Sequence, residues 1–154
     1  MNGQKSARTT TRVITQNGNN INYMSMATTD FTTNRLMTSE LQATFKGHEL
    51  YSQDGKKMDA TCIAVFHIGN IRWYVLEGQQ EGNDFILFGI VLGLIDNEYG
   101  YVSLNEMADL SIDASKYGLG ILKVEQVKGF KACKLSEIED TDLQSFLSHL
   151  YDKE

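Results

Sequence analysis

With 154 residues, 42% of them hydrophobic and 22% charged, the chain suits one domain that buries a core without metals or disulfides. A formal charge of -6 argues against a general nucleic-acid binder, which needs clustered Lys and Arg to meet phosphates, and suits either a basic partner surface or simple solubility. The longest apolar run, Phe85 to Ile95, is about half the length of a bilayer span, so no membrane segment is expected.

Residues 1–35 read as a polar arm rich in Thr, Asn, Gln and Ser. Within it, Arg12–Gln16 and Asn19–Tyr23 flank Asn17-Gly18, which accepts the positive φ angles of a two-residue type I′ turn, so a hairpin is expected there. An isolated ribbon is marginal in water and has to dock on the domain or on a partner. The domain itself is expected over 36–154. Its first helix is predicted over Thr38–Lys46, with Ser39 and Gln42 as a capping box and Leu41 and Phe45 four apart on one face. Tyr51–Asp59 is a polar loop turning at Asp54-Gly55.

Two β-rich runs follow, Ala60–Ile68 and Ile71–Glu77, joined by the hairpin signal Gly69-Asn70; a second polar turn covers Gly78–Asp84. Phe85–Leu94 is apolar on both faces, which predicts a central strand covered on both sides. Gly89 and Gly93 leave one of its faces small enough for a helix to approach closely. After Asp96–Glu98 turns the chain, Tyr99–Val102 is a short strand, and the capping box Ser103–Glu106 opens a helix to about Leu110. Ile112–Gly120 reads as irregular and Ile121–Lys128 as an edge strand. Thr141–Asp152 is an amphipathic helix whose stripe is Leu143, Phe146, Leu147, Leu150 and Tyr151. Hairpin-linked strands, with helices at the start, after the central strands and at the C-terminus, predict an α+β fold with one antiparallel sheet of four to six strands.

Three groups of residues could carry chemistry. Trp73 and Glu77 share a strand face by alternation, as two walls of a pocket or as a core residue and an end-of-strand surface charge or loop anchor. Glu98, Tyr101 and Glu106 surround the Gly100 turn, where carboxylates and a phenol could do acid–base work, although capping, turning and packing already occupy this stretch. His67 has no second ligand at metal spacing in its strand. Trp73, Glu77, Glu98 and Tyr101 are therefore the candidate site, with no catalytic residue, metal or cofactor assigned. Cys62 and Cys133 lack a paired spacing and read as buried, inert thiols. A polar start, Met1–Thr11, without an apolar signal segment, points to the cytoplasm.

Trp73-Tyr74-Val75-Leu76-Glu77, Phe88-Gly89-Ile90-Val91-Leu92-Gly93 and Tyr99-Gly100-Tyr101-Val102-Ser103-Leu104-Asn105-Glu106-Met107 together resemble the domain of unknown function 2958 family. Leu36-Met37-Thr38-Ser39-Glu40-Leu41 resembles its usual opening and Leu135-Ser136-Glu137-Ile138 its closing segment, so the resemblance covers about residues 36–139. The family's usual prolines are missing here, and Met107 stands where leucine is usual. The resemblance implies an accessory protein of bacterial plasmids, conjugative elements or phages, and brings no activity, cofactor or catalytic residue.

Two functions are expected from these observations. One is an interaction module that binds a host or element-encoded protein, with inhibition of a host defence system as its specific form and a homodimer as a further option. The other is a small hydrolase or nucleotide-binding enzyme using Glu77, Glu98 and Tyr101 beside the sheet.

Overall fold

Three α-helices and nine strands are placed over residues 30–152, the part of the chain that the computed structural model describes. The hairpin expected over 12–23 lies outside the described residues. Strands β2 (Ala64–Ile68), β3 (Ile71–Glu81), β4 (Asp84–Leu92), β5 (Glu98–Ser103) and β8 (Glu125–Gln126) form a five-stranded antiparallel sheet in the order β5-β4-β3-β2-β8. Two further ladders, β1 (Thr61–Cys62) with β9 (Cys133–Lys134) and β6 (Ser111–Asp113) with β7 (Ile121–Lys123), stand beside it, where a single sheet was expected.

Both faces of the sheet are covered. On one, Phe66, Ile68, Val75, Phe85 and Leu87 meet helices α1 (Ser39–Phe45) and α2 (Leu104–Asp109) through Leu41, Phe45, Leu104 and Met107. On the other, Val65, Tyr74, Ile90 and Leu92 meet α3 (Thr141–Tyr151) through Leu143 and Leu147. Each such side chain taken fully from water contributes roughly 1.5–3 kcal/mol. Among the described residues, the first buried side chain is Phe31, beside Phe85 at 5.2 Å between ring centroids. Leu150, expected in the α3 stripe, is half-exposed, while Leu143, Phe146, Leu147 and Tyr151 join the core on that face.

Local rules account for most boundaries and for their departures. The α1 cap is Thr38, one residue earlier than Ser39: its hydroxyl accepts from the Leu41 N–H at 3.0 Å, and Glu40 sits in the first turn where the helix dipole favours an anion. Ser103 caps α2 as expected, accepting from the Glu106 N–H. Strand β3 runs on to Glu81, so the predicted turn over Gly78–Asp84 shrinks to Gly82-Asn83. Polar side chains do not prevent a ladder, which uses backbone groups alone. Strand β4 stops at Leu92 because Gly93 takes φ +96, turning Leu94 into solvent. The predicted edge strand Ile121–Lys128 is split into β7 and β8 by Val124, which is drawn fully into the core.

The small face of β4 has a different use from the one expected. A Cβ on Gly89 would stand 2.1 Å from the Tyr74 carbonyl oxygen, and one on Gly93 would stand 2.4 Å from that of Asn70. It is the neighbouring strand backbone that comes close, not a helix. A helix does approach at Gly78, where the Phe45 ring of α1 occupies the space a Cβ would need.

Candidate functional site

The alternation of β3 is broken at one point, and that break decides where the candidate residues go. Val75 pairs with Gly89, but Glu77 pairs with Phe88, so Leu76 is an extra residue and the strand bulges. A bulge puts two successive side chains on one face. Trp73, opposite Val91, stays on the α1/α2 face; Glu77, opposite Phe88, is thrown onto the α3 face. The expected shared wall of Trp73 and Glu77 does not exist.

The four candidates separate into two rows across β4. Glu77, Phe88 and Tyr101 form one row, and the Phe88 and Tyr101 rings lie 5.0 Å apart. Trp73, Val91 and Glu98 form the other, on the opposite face. Glu98 is exposed, and Trp73 is half-buried against the core around Phe66. Tyr101 and Glu98, expected in one cluster with Glu106, point away from each other because they stand three positions apart in extended chain, an odd step.

Glu77 is 2% exposed, and both its oxygens are engaged. Oε1 accepts from the Tyr51 N–H at 2.7 Å and Oε2 from the Gln53 N–H at 2.9 Å. The Gln53 side chain continues the anchor: its Nε2 donates to the Thr61 and Leu76 carbonyls, and its Oε1 accepts from the Thr61 N–H. Tyr51 is held at φ +76, a left-handed conformation that costs a residue with a side chain on the order of 1–3 kcal/mol and persists only where its surroundings impose it. The carboxylate imposes it here, by fixing the N–H groups on either side of Ser52. Burial pushes the Glu77 pKa up; the two N–H bonds oppose that shift, and the Asp54 charge adds to it. Burial likewise raises the Tyr101 phenol, with the Tyr51 hydroxyl and the Glu77 and Asp54 charges adding to it. Tyr101 therefore stays un-ionised at neutral pH, and the two N–H bonds to Glu77 hold the 48–59 loop on the sheet.

A second polar network, not anticipated from the sequence, lies at the other end of the same face. Arg72 donates through Nε and Nη2 to the two oxygens of Asp140, each at 3.0 Å, and through Nη2 to Asp142 at 2.9 Å. The Tyr74 hydroxyl also donates to Asp140, which caps α3 by accepting from the Asp142 and Leu143 N–H groups. Alternation does put Arg72 and Tyr74 on one face of β3, but no local pattern links them to a carboxylate 66 or 68 residues away. Among the described residues, no group of three or more His, Cys, Asp and Glu side chains is placed to hold a metal, and no helix is long and apolar enough to cross a membrane.

Among the described residues, exposed large apolar side chains stand at Leu94, Ile95 and Leu150, and five more gather on and beside one ribbon. The β6–β7 ribbon turns through a 3-10 segment, Ser115–Tyr117, and left-handed Gly118 and Gly120. Leu122 packs on the core and Ala114 is buried, yet Tyr117, Leu119 and Ile121 are 73%, 62% and 56% exposed. Leu110 and Ile112 at its base are partly exposed as well. Periodicity gives no sign of this surface, because Ile112–Gly120 has the pattern of irregular chain and Ile121–Lys128 that of an edge strand. Comparison with protein-family models, with curated proteins and with solved structures finds no match to the chain.

Proposed function

We propose that the protein works by docking another protein, and that the β6–β7 ribbon is the docking element. The observation that carries this reading is the clustering of Tyr117, Leu119 and Ile121, all more than half exposed, on the turn and second strand of the β6–β7 ribbon. Isolated exposed apolar residues are ordinary, but several on one element, with an aromatic among them, have the make-up of an interaction hot spot. The role as an accessory factor of a bacterial mobile element or phage, including inhibition of a host defence system, rests on the resemblance of the segments at 73–77, 88–93 and 99–107. The net charge of -6 favours a protein over a nucleic acid as the partner.

The alternative, a hydrolase or nucleotide-binding enzyme, has less support. Glu77 has both oxygens engaged by backbone N–H groups, and Glu98 lies on the opposite face.

The test is affinity capture from bacterial lysate with full-length protein and with a Tyr117→Ser, Leu119→Ser, Ile121→Ser variant, whose thermal midpoint is checked first. Hot-spot truncations typically cost 2 kcal/mol or more, so recovery of a stoichiometric partner should fall by about tenfold or more. Equal recovery by both proteins, or no partner for the unaltered chain, overturns the proposal; self-association lost in the variant would make a second copy the partner.

A further inference from the structure

The chain has two cysteines, 71 residues apart, and the fold sets them face to face. Cys62 ends β1, Cys133 begins β9, and the antiparallel register pairs them directly, with Thr61 opposite Lys134. Residues directly opposite in such a ladder have Cα atoms roughly 4.5–5.5 Å apart, inside the roughly 4.4–6.8 Å range that a disulfide spans, and their side chains leave on the same face. Both are free thiols in this structure. They differ in access: Cys62 is fully buried, its Sγ donating to the Ala64 carbonyl at 3.4 Å, whereas Cys133 is partly open to solvent.

We propose that Cys62 and Cys133 form a reversible cross-strand disulfide that locks the β1–β9 clasp and, through it, the seat of α3 on the sheet. The clasp is slight without it. Two residue pairs, the Leu135 N–H bond to the Ala60 carbonyl at 2.9 Å and an exposed Asp59–Lys134 ion pair at 3.9 Å hold the strands together. Immediately after β9 comes fully buried Leu135, then Asp140 and α3, so the ladder is where the cover of that face is attached.

The oxidant is a small-molecule disulfide of the glutathione type. The accessible Cys133 thiolate attacks one sulfur of that disulfide, forming a mixed disulfide and releasing one small thiol. Cys62, after losing its proton, attacks the Cys133 sulfur and expels the second small thiol. Two protein thiols and one disulfide thus become one protein disulfide and two small thiols, and a small dithiol runs the exchange backwards. Burial pushes the Cys62 thiol up to about 12, and burial with the nearby Glu137 charge raises Cys133, so thiolate is scarce at neutral pH and the exchange is slow. The resolving attack also requires the two-residue ladder to open briefly.

The experiment uses the full chain, incubated with glutathione disulfide, then denatured, alkylated with iodoacetamide and weighed intact. The expected product is a monomer lighter by two hydrogens that takes up no alkyl group, and dithiothreitol restores both alkylation sites. Its thermal midpoint should exceed that of the reduced protein by on the order of 10 °C. Cys62→Ala should accumulate a single glutathione adduct on Cys133, which fixes the order of attack. Persistent adducts on the unaltered chain, disulfide-linked dimers, or two alkylated thiols after oxidation overturn the proposal. These readouts on the unaltered chain stand even where a variant fails to fold.

Discussion

At Asp140 a single carboxylate accepts from the Arg72 guanidinium through two nitrogens, from the Tyr74 phenol and from the first N–H groups of α3. Burial alone would raise its pKa; the hydrogen bonds from Arg72, Tyr74 and Leu143, with the Arg72 charge, outweigh burial and hold the group down to about 2 from an ordinary 3.8. Because the folded value is the lower one, the ionised group stabilises the fold above pH 3.8, and that contribution disappears as the pH falls towards 2. A shift of this size corresponds to about 2 kcal/mol. Asp140→Asn keeps the helix cap but loses the charge, so urea titrations at pH 7 should show it about 2–3 kcal/mol less stable. The gap to the unaltered protein should close as the pH is lowered through this window. A gap that does not depend on pH would mean that Asp140 acts only as a cap.

The strand pair β3–β4 shows how one element is shaped by its neighbour. Gly89 lies against the Tyr74 carbonyl with no room for a Cβ, whereas Gly100, its partner across β5, would present a Cβ to open space. The same substitution in the same row should therefore have opposite consequences. Gly89→Ala pushes backbone from backbone and should cost about 3 kcal/mol or more, while Gly100→Ala should change stability by no more than about 0.5 kcal/mol. Thermal unfolding of the two variants side by side checks this, and equal midpoints would refute the close approach. One residue further along β3, the bulge at Leu76 moves Glu77 to the face where the 48–59 loop waits for an acceptor.

On the scale of the whole molecule, one sheet serves two cores, and neither can lose its cover without exposing strands that the other needs. Leu147 packs on one face and Trp73, the single tryptophan, on the other. Leu147→Ala should cost about 2–5 kcal/mol, as buried truncations of this kind do. Cooperative unfolding requires that Trp73 fluorescence and far-ultraviolet circular dichroism report the same lowered urea midpoint, although the mutation never touches Trp73. If the fluorescence transition stayed in place while the circular dichroism moved, the two faces would be separate folding units.

The sequence by itself determined what depends on neighbours along the chain. The hairpin turn at Gly69-Asn70, most of the doubly apolar strand expected over Phe85–Leu94, the Ser103 cap and the α3 stripe apart from Leu150 follow from turn chemistry, periodicity and capping, which act over a few residues. Only the tertiary structure decided the rest. A single inserted residue at Leu76 reversed the face of Glu77 and undid the expected pairing with Trp73, since alternation holds only while the register does. The grip of Arg72 on Asp140 and the pairing of Cys62 with Cys133 join residues 68 and 71 positions apart, and no spacing rule reaches that far. Such contacts exist because packing both faces of one sheet brings the ends of distant elements together, and the chemistry of this protein is set at those meetings.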